Sequence, residues 1–211
     1  MTVPEAKAEV CRMAVEAWKS GLFEGTCGNL SYFERESGQV IVTPSTYPYD
    51  RFTPEDMVVI DLEGNVMEGH HRPTSEWPMH TDVYKTKPEV NAVIHTHSTY
   101  ATAMAVMHRP IPLVIVEMVP TIGGDVPLAP FAMTGTPEMG DAVRACLEKR
   151  RGCLLENHGV LAIGEDIETA MARAYYIENA AKVCVIADSA GGAVPLNDEQ
   201  YHDIKKHFGL E

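Results

Sequence analysis

Residues 29–43 read Asn29-Leu30-Ser31-Tyr32-Phe33-Glu34-Arg35-Glu36-Ser37-Gly38-Gln39-Val40-Ile41-Val42-Thr43. Two runs rich in β-branched and aromatic residues, Asn29–Phe33 and Gln39–Thr43, flank a polar gap that contains Gly38. The gap has hairpin length, so the runs are expected to be antiparallel neighbours. A third run, Met57–Asp61, follows after Gly, Pro and Asp punctuation. Working outward, Thr2-Val3-Pro4-Glu5 has the form of a capping box, and Val10, Cys11, Ala14, Val15 and Trp18 then recur at helical spacing until Gly21. Helices are expected over Ser75–Thr86, Thr99–Met107, Thr136–Arg150 and from the cap Asp166 to about Asp188. Strands are expected at Ala92–Thr96, Val114–Met118, Cys153–Glu156 and Val160–Ile163. Because the early strands cluster instead of alternating with helices, the pattern predicts an α/β fold with a central mixed, largely antiparallel sheet and helices on both faces.

The chain has 211 residues, with no repeat, low-complexity tract or long Gly/Ser linker, so residues 1–211 read as a single domain. Apolar residues make up 45% and charged residues 22%, the composition of a folded globule. Seventeen Lys and Arg against thirty Asp and Glu give a net charge of −13, which opposes binding to nucleic acid or anionic lipid. Any anionic ligand must be held locally, by amides, helix N-termini or a metal. The start lacks an apolar h-region, so no signal peptide is expected. The longest uncharged stretch, Val90–His108, carries three histidines and is no membrane span. Five cysteines, Cys11, Cys27, Cys146, Cys153 and Cys184, form no C-x-x-C pair and read as reduced thiols of a cytoplasmic protein.

His95 and His97 lie two apart on an expected strand, so both imidazoles share a face and can close on one cation. The bland alternative is a polar strand end near solvent. His158 supplies a third imidazole where the apolar run Leu154-Leu155 gives way to Glu156-Asn157-His158-Gly159. Three histidines with an open position is the pattern of a catalytic zinc site, although imidazoles also suit Mn²⁺, Fe²⁺ or Co²⁺. His70 and His71 read as solvated, His80 as a core residue or one that supports the site, and His108, His202 and His207 as lacking a partner. Glu76, at an expected helix start, is either a surface carboxylate matching the helix dipole or a base beside the cation. The stretches Gly25-Thr26-Cys27-Gly28-Asn29, Thr43-Pro44-Ser45-Thr46 and Thr74-Ser75 are turns that together could hold a phosphate through amides and hydroxyls. None matches the nucleotide-binding P-loop.

On Gly25-Thr26-Cys27-Gly28-Asn29, Thr74-Ser75-Glu76-Trp77, His95-Thr96-His97, Gly123-Gly124 and Asn157-His158-Gly159, in this order, the chain resembles the class II aldolase/adducin family, most closely its L-fuculose-1-phosphate aldolase type. The likeness spans about Gly21 to Ala187. It implies one Zn²⁺ bound by His95, His97 and His158, with Glu76 completing the site and then acting as base. It implies a phosphate cup from Gly28, Asn29, Ser45, Thr46, Thr74 and Ser75, a sugar-phosphate substrate cleaved to dihydroxyacetone phosphate and an aldehyde, and a homotetramer with active sites at subunit interfaces. The chain departs from the type at two places. Val116 and Glu117 stand where a tyrosine proton donor is expected, and Phe208 replaces a tyrosine near the C-terminus. These losses leave the metal and phosphate chemistry intact and point to a deoxy or methylthio pentulose 1-phosphate in place of fuculose 1-phosphate. Competing expectations are a ribulose-phosphate 4-epimerase, a ketose-phosphate dehydratase or a non-catalytic adducin-like module, the last opposed by the three histidines.

Overall fold

The computed structural model describes residues 1–210. Its centre is one eight-stranded sheet: β1 (Asn29–Glu34), β2 (Gln39–Val42), β3 (Val58–Ile60), β4 (Val66–Glu68), β5 (Ala92–Thr96), β6 (Leu128–Ala129), β7 (Gly152–Leu155) and β8 (Gly159–Gly164). The spatial order is β4-β3-β2-β1-β5-β8-β7-β6, antiparallel throughout except between β6 and β7. The hairpin expected from residues 29–43 is present, with Ser31 opposite Val42 and Glu34 opposite Gln39.

The described residues also form seven α-helices: α1 (Val3–Lys19), α2 (Trp77–Thr86), α3 (Thr99–Val106), α4 (Met118–Ile122), α5 (Pro137–Leu147), α6 (Ile167–Ser189) and α7 (Asp198–His207). Strand alternation divides the core into two layers. Leu30, Ile41, Ile94, Val160 and Ala162 pack beneath α1, α3 and α6. Phe33, Val40, Val42, Val93, Leu161 and Ile163 pack beneath α2 and α5. The starts of α1 and α6 follow their sequence signals: Thr2 and Glu5 form the capping box, and Asp166 Oδ1 accepts the Thr169 amide at 2.7 Å.

Three sequence readings are corrected. Val114–Met118 is not a strand. Leu113, Val114 and Ile115 pack on the core without a neighbouring strand, and the chain turns into α4, whose first turn tolerates Pro120. Gly123, at φ 95°, ends that helix by returning its amide to Met118 and Val119. The second correction is that α2 begins at Trp77, which leaves Glu76 as its N-cap. Finally, α5 stops at Leu147, short of Arg150. The short strands β4 and β6 and the terminal helix α7 lacked a readable period, and α7 buries no residue.

No described helix is long and apolar enough to cross a membrane.

Candidate metal centre and adjoining cavity

Strand β5 carries His95 into the middle of the sheet, opposite Asn29 of β1 and Leu161 of β8. His95 is fully buried, and its Nδ1–H donates to the Val160 carbonyl at 2.8 Å. That bond assigns the tautomer and leaves the Nε2 lone pair free to ligate. His97 stands just past the strand end, and its Nε2 comes within 2.8 Å of His95 Nε2, as the two-residue period requires. His158 arrives from the turn between β7 and β8, where Asn157 takes the left-handed conformation (φ 55°). Gly159 lets this turn close, since a Cβ there would lie 2.3 Å from the Thr96 carbonyl oxygen.

Glu76 completes the group. Its Oε2 lies 3.1 Å from His95 Nε2 and its Oε1 lies 3.3 Å from His158 Nε2. One donor atom from each of Glu76, His95, His97 and His158 falls within 4.8 Å of the others. Burial drives His95 down to about 3, against the upward pull of Glu76, and burial also lowers His97. Both imidazoles are therefore neutral ligands near pH 7. Burial alone would raise Glu76, but His95, the Asn29 amide, His158 and His80 outweigh it, and the group stays below the usual carboxylate range. Three imidazoles and an ionised carboxylate are an open-coordination donor set for a divalent cation. With its proton on Nδ1, His95 turns a bare Nε2 toward the Glu76 carboxylate oxygen 3.1 Å away, and two facing acceptors fit a cation better than a self-satisfied polar cluster.

A cavity of about 240 Å³ opens beside this group. Gly28, Asn29, Ser45, Thr46, Thr74, Ser75, Glu76, His97 and His158 line it, so every residue expected in the phosphate cup lies on one wall system with two of the histidines. No Lys or Arg lines it. Gly28 (φ 96°) lies so close to Phe23 that a Cβ would clash with the ring, and Tyr49 O–H donates to its carbonyl at 2.7 Å. These contacts hold the 25–29 turn against the cavity. Thr43 is turned away, its hydroxyl accepting the Leu30 amide. Thr134 also lines the cavity, from a loop that docks near Ser75 at Gly135. Nothing in the local sequence around Thr134 marks it.

Two of the remaining histidines, His71 and His108, differ from expectation. His71 is tied to Asp56 at 2.9 Å instead of being solvated, with His70 at 3.5 Å from the same oxygen. His108 has partners after all: Nε2 contacts Asn157 Oδ1 at 2.5 Å and Nδ1 contacts Glu156 Oε1 at 2.9 Å, which braces the turn that carries His158. His80, as expected of a core residue that supports the site, is fully buried and hydrogen-bonded behind Asn29.

Residues 8–185 match the family model described as the class II aldolase and adducin N-terminal domain. A 5-deoxy-D-ribulose 1-phosphate aldolase from Bacillus thuringiensis is 34% identical over 99% of this chain and 97% of its own length. A 5-methylthioribulose-1-phosphate/5-deoxyribulose-1-phosphate aldolase from Escherichia coli is 36% identical over 91% of each chain. Among solved structures, an L-fuculose 1-phosphate aldolase superposes with a TM-score of 0.91 at 36% identity, covering 97% of this chain and 96% of its own.

Proposed function

The chain belongs to the class II aldolase and adducin family, and from that premise we propose that it is a zinc-dependent aldolase that reversibly cleaves a ketose 1-phosphate to dihydroxyacetone phosphate and an aldehyde. The observation that carries this reading is the convergence of Glu76, His95, His97 and His158 at the mouth of a phosphate-sized cavity without a Lys or Arg. The His95, His97 and His158 Nε2 atoms would hold Zn²⁺, which supplies Lewis acidity toward the substrate oxygens. Glu76 removes the carbon-bound proton of dihydroxyacetone phosphate in the synthetic direction and returns it in cleavage. Gly28, Asn29, Ser45, Thr46, Thr74 and Ser75 seat the phosphate through amides and hydroxyls, which suits a chain of net charge −13 because no cation is spent there.

The aldehyde half is less polar than in a fuculose-type pocket. Val116, Glu117 and Phe208 are exposed side chains with no phenol among them. A homotetramer would bring such surface segments over a neighbouring subunit's cavity. Loss of two hydroxyl donors removes the means of strong discrimination for a 2-hydroxyaldehyde, whereas an apolar pocket separates substrates by only ~1–3 kcal/mol per methylene. Deoxy or methylthio pentulose 1-phosphates are therefore the substrates of this reading, in a cytoplasmic setting consistent with reduced thiols.

A panel of ketose 1-phosphates, with released dihydroxyacetone phosphate coupled to a reductase, tests the activity. The expected result is turnover that chelation abolishes and Zn²⁺ restores. No release from any member of the panel would reject the reading. A preference of more than about tenfold for fuculose 1-phosphate over 5-deoxyribulose 1-phosphate, ~1.4 kcal/mol in transition-state binding, would reject the tolerant pocket.

A further inference from the structure

Helix α2 and strand β1 run side by side with matched spacing. Four helical residues rise about 6 Å and two strand residues about 6.7 Å, so a helix face at i, i+4, i+8 stays in step with a strand face at i, i+2, i+4. The side chains that meet along this seam are Glu76, His80 and Tyr84 from one side and Asn29, Ser31 and Phe33 from the other. Asn29 Nδ2 donates to Glu76 Oε2 at 2.8 Å. His80 Nε2 meets Asn29 Oδ1 at 2.6 Å, His80 Nδ1 meets Ser31 Oγ at 2.6 Å, and Ser31 Oγ meets Tyr84 Oη at 2.6 Å. Exposure falls to 0% at Ser31 and His80, 2% at Tyr84 and 4% at Asn29, so water cannot stand in for a missing partner.

Donor and acceptor chemistry leaves one direction for these bonds. The Glu76 carboxylate only accepts, so the Asn29 amide nitrogen must face it and the Asn29 carbonyl must face His80. A carbonyl only accepts, so His80 carries its proton on Nε2. Nδ1 is then an acceptor, Ser31 spends its single proton there, and Tyr84 donates to Ser31. We propose that Tyr84, Ser31 and His80 act through Asn29 as positioning residues that aim the Glu76 carboxylate for proton transfer. The proposal rests on the reading of Glu76 as the base. Its physical need is plain: an Asn amide is nearly symmetric in shape, and a half-turn would put its oxygen against the carboxylate. The His80 N–H forbids that half-turn. Asn29 is thereby more than a wall of the phosphate cup, since its carbonyl and one N–H are already committed.

The test compares His80→Leu, His80→Gln and Ser31→Ala with wild type in the Zn²⁺-loaded protein. The readouts are exchange of the carbon-bound hydrogen of dihydroxyacetone phosphate with D₂O, and metal per subunit. His80→Leu is expected to lower kcat for exchange about tenfold or more, with KM and metal content within about twofold. His80→Gln, whose amide N–H can reach Asn29 Oδ1, should recover most of the rate, and Ser31→Ala should lose several-fold. A His80→Leu protein that exchanges at the wild-type rate overturns the proposal. So does a His80→Gln protein as slow as His80→Leu. Nitrogen-15 spectra of wild-type His80 keep the question open to failure even if a variant does not fold: protonated Nε2 with bare Nδ1 is expected, and the reverse tautomer overturns the chain of bonds. The tautomer is read without catalysis, so a wild-type protein inert toward dihydroxyacetone phosphate would reject the aldolase reading separately.

Discussion

Two buried polar clusters share strand β1 and its neighbours, and they are satisfied in opposite ways. Behind Asn29, the side chains of His80, Ser31 and Tyr84 find partners at 2.6 Å with one consistent direction. In front of it, His95 Nε2, bare because Nδ1–H is committed to the Val160 carbonyl, faces the Glu76 carboxylate oxygen at 3.1 Å and His97 Nε2 at 2.8 Å. A fully satisfied network rigidifies, whereas an unsatisfied one marks where another species belongs. Glu76 touches both clusters, held by Asn29 on one side and facing His95 and His158 on the other.

The sharpest way to break the contrast is to empty the front cluster. His97→Ala removes one of three imidazoles and should take bound zinc from about one per subunit to near none, with activity lost alongside. Elemental analysis decides it, and equal metal in wild type and variant would end the assignment. Next in size is Glu76→Gln, which keeps the shape and an oxygen for Asn29 but removes the base. A loss on the order of 10²–10⁴ in hydrogen exchange of dihydroxyacetone phosphate is expected, with thermal stability little changed. Undiminished exchange would take Glu76 out of that role.

Smaller effects sharpen the comparison. His80→Leu strips a donor from a fully buried carbonyl, so it should cost ~1–3 kcal/mol in urea unfolding as well as rate, unlike Glu76→Gln. Ser75→Ala should raise KM for phosphorylated ketoses roughly tenfold and leave the melting temperature in place, since Ser75 is exposed on the cavity wall. An unchanged KM would put the phosphate elsewhere. The smallest expected effect is on pH dependence. Falling pH protonates imidazoles and so competes with the cation. Three ordinary imidazoles of pKa ~6.5 would weaken binding roughly fiftyfold between pH 7.5 and 6.0. Burial lowers His95 to about 3, so it stays neutral over this window, and lowers His97 as well, so the loss should be under about fifteenfold. Chelator competition at the two pH values measures it.

Much of the site was legible along the chain because its rules are local. The alternation of His95 and His97 placed two imidazoles on one face, and the turn after Leu155 exposed His158 toward the same end of the sheet. Turn residues marked the cavity walls. Less legible were the partners that depend on distant packing. Thr134 reaches the cavity from a loop with no distinguishing local pattern. His108 braces the His158 turn although nothing near it in sequence offers a partner. Val114–Met118 has strand composition but meets no strand, so Pro120 and Gly123 decide its shape.

By itself, then, the amino-acid order determined which residues share a face, where helices start, and that the early strands pair as hairpins. Those properties arise from backbone period, capping and turn closure, which act over a few residues. Only the tertiary structure decided that β1 lies between β2 and β5, and that β8 lies on the far side of β5. That order seats Asn29 opposite His95 and brings His158 to the same point. Its cause is non-local. Both faces of the sheet must be buried, one under α1, α3 and α6 and the other under α2 and α5, and a one-residue slip of β5 against its neighbours would turn His95 from the α2/α5 face into the layer under α1, α3 and α6.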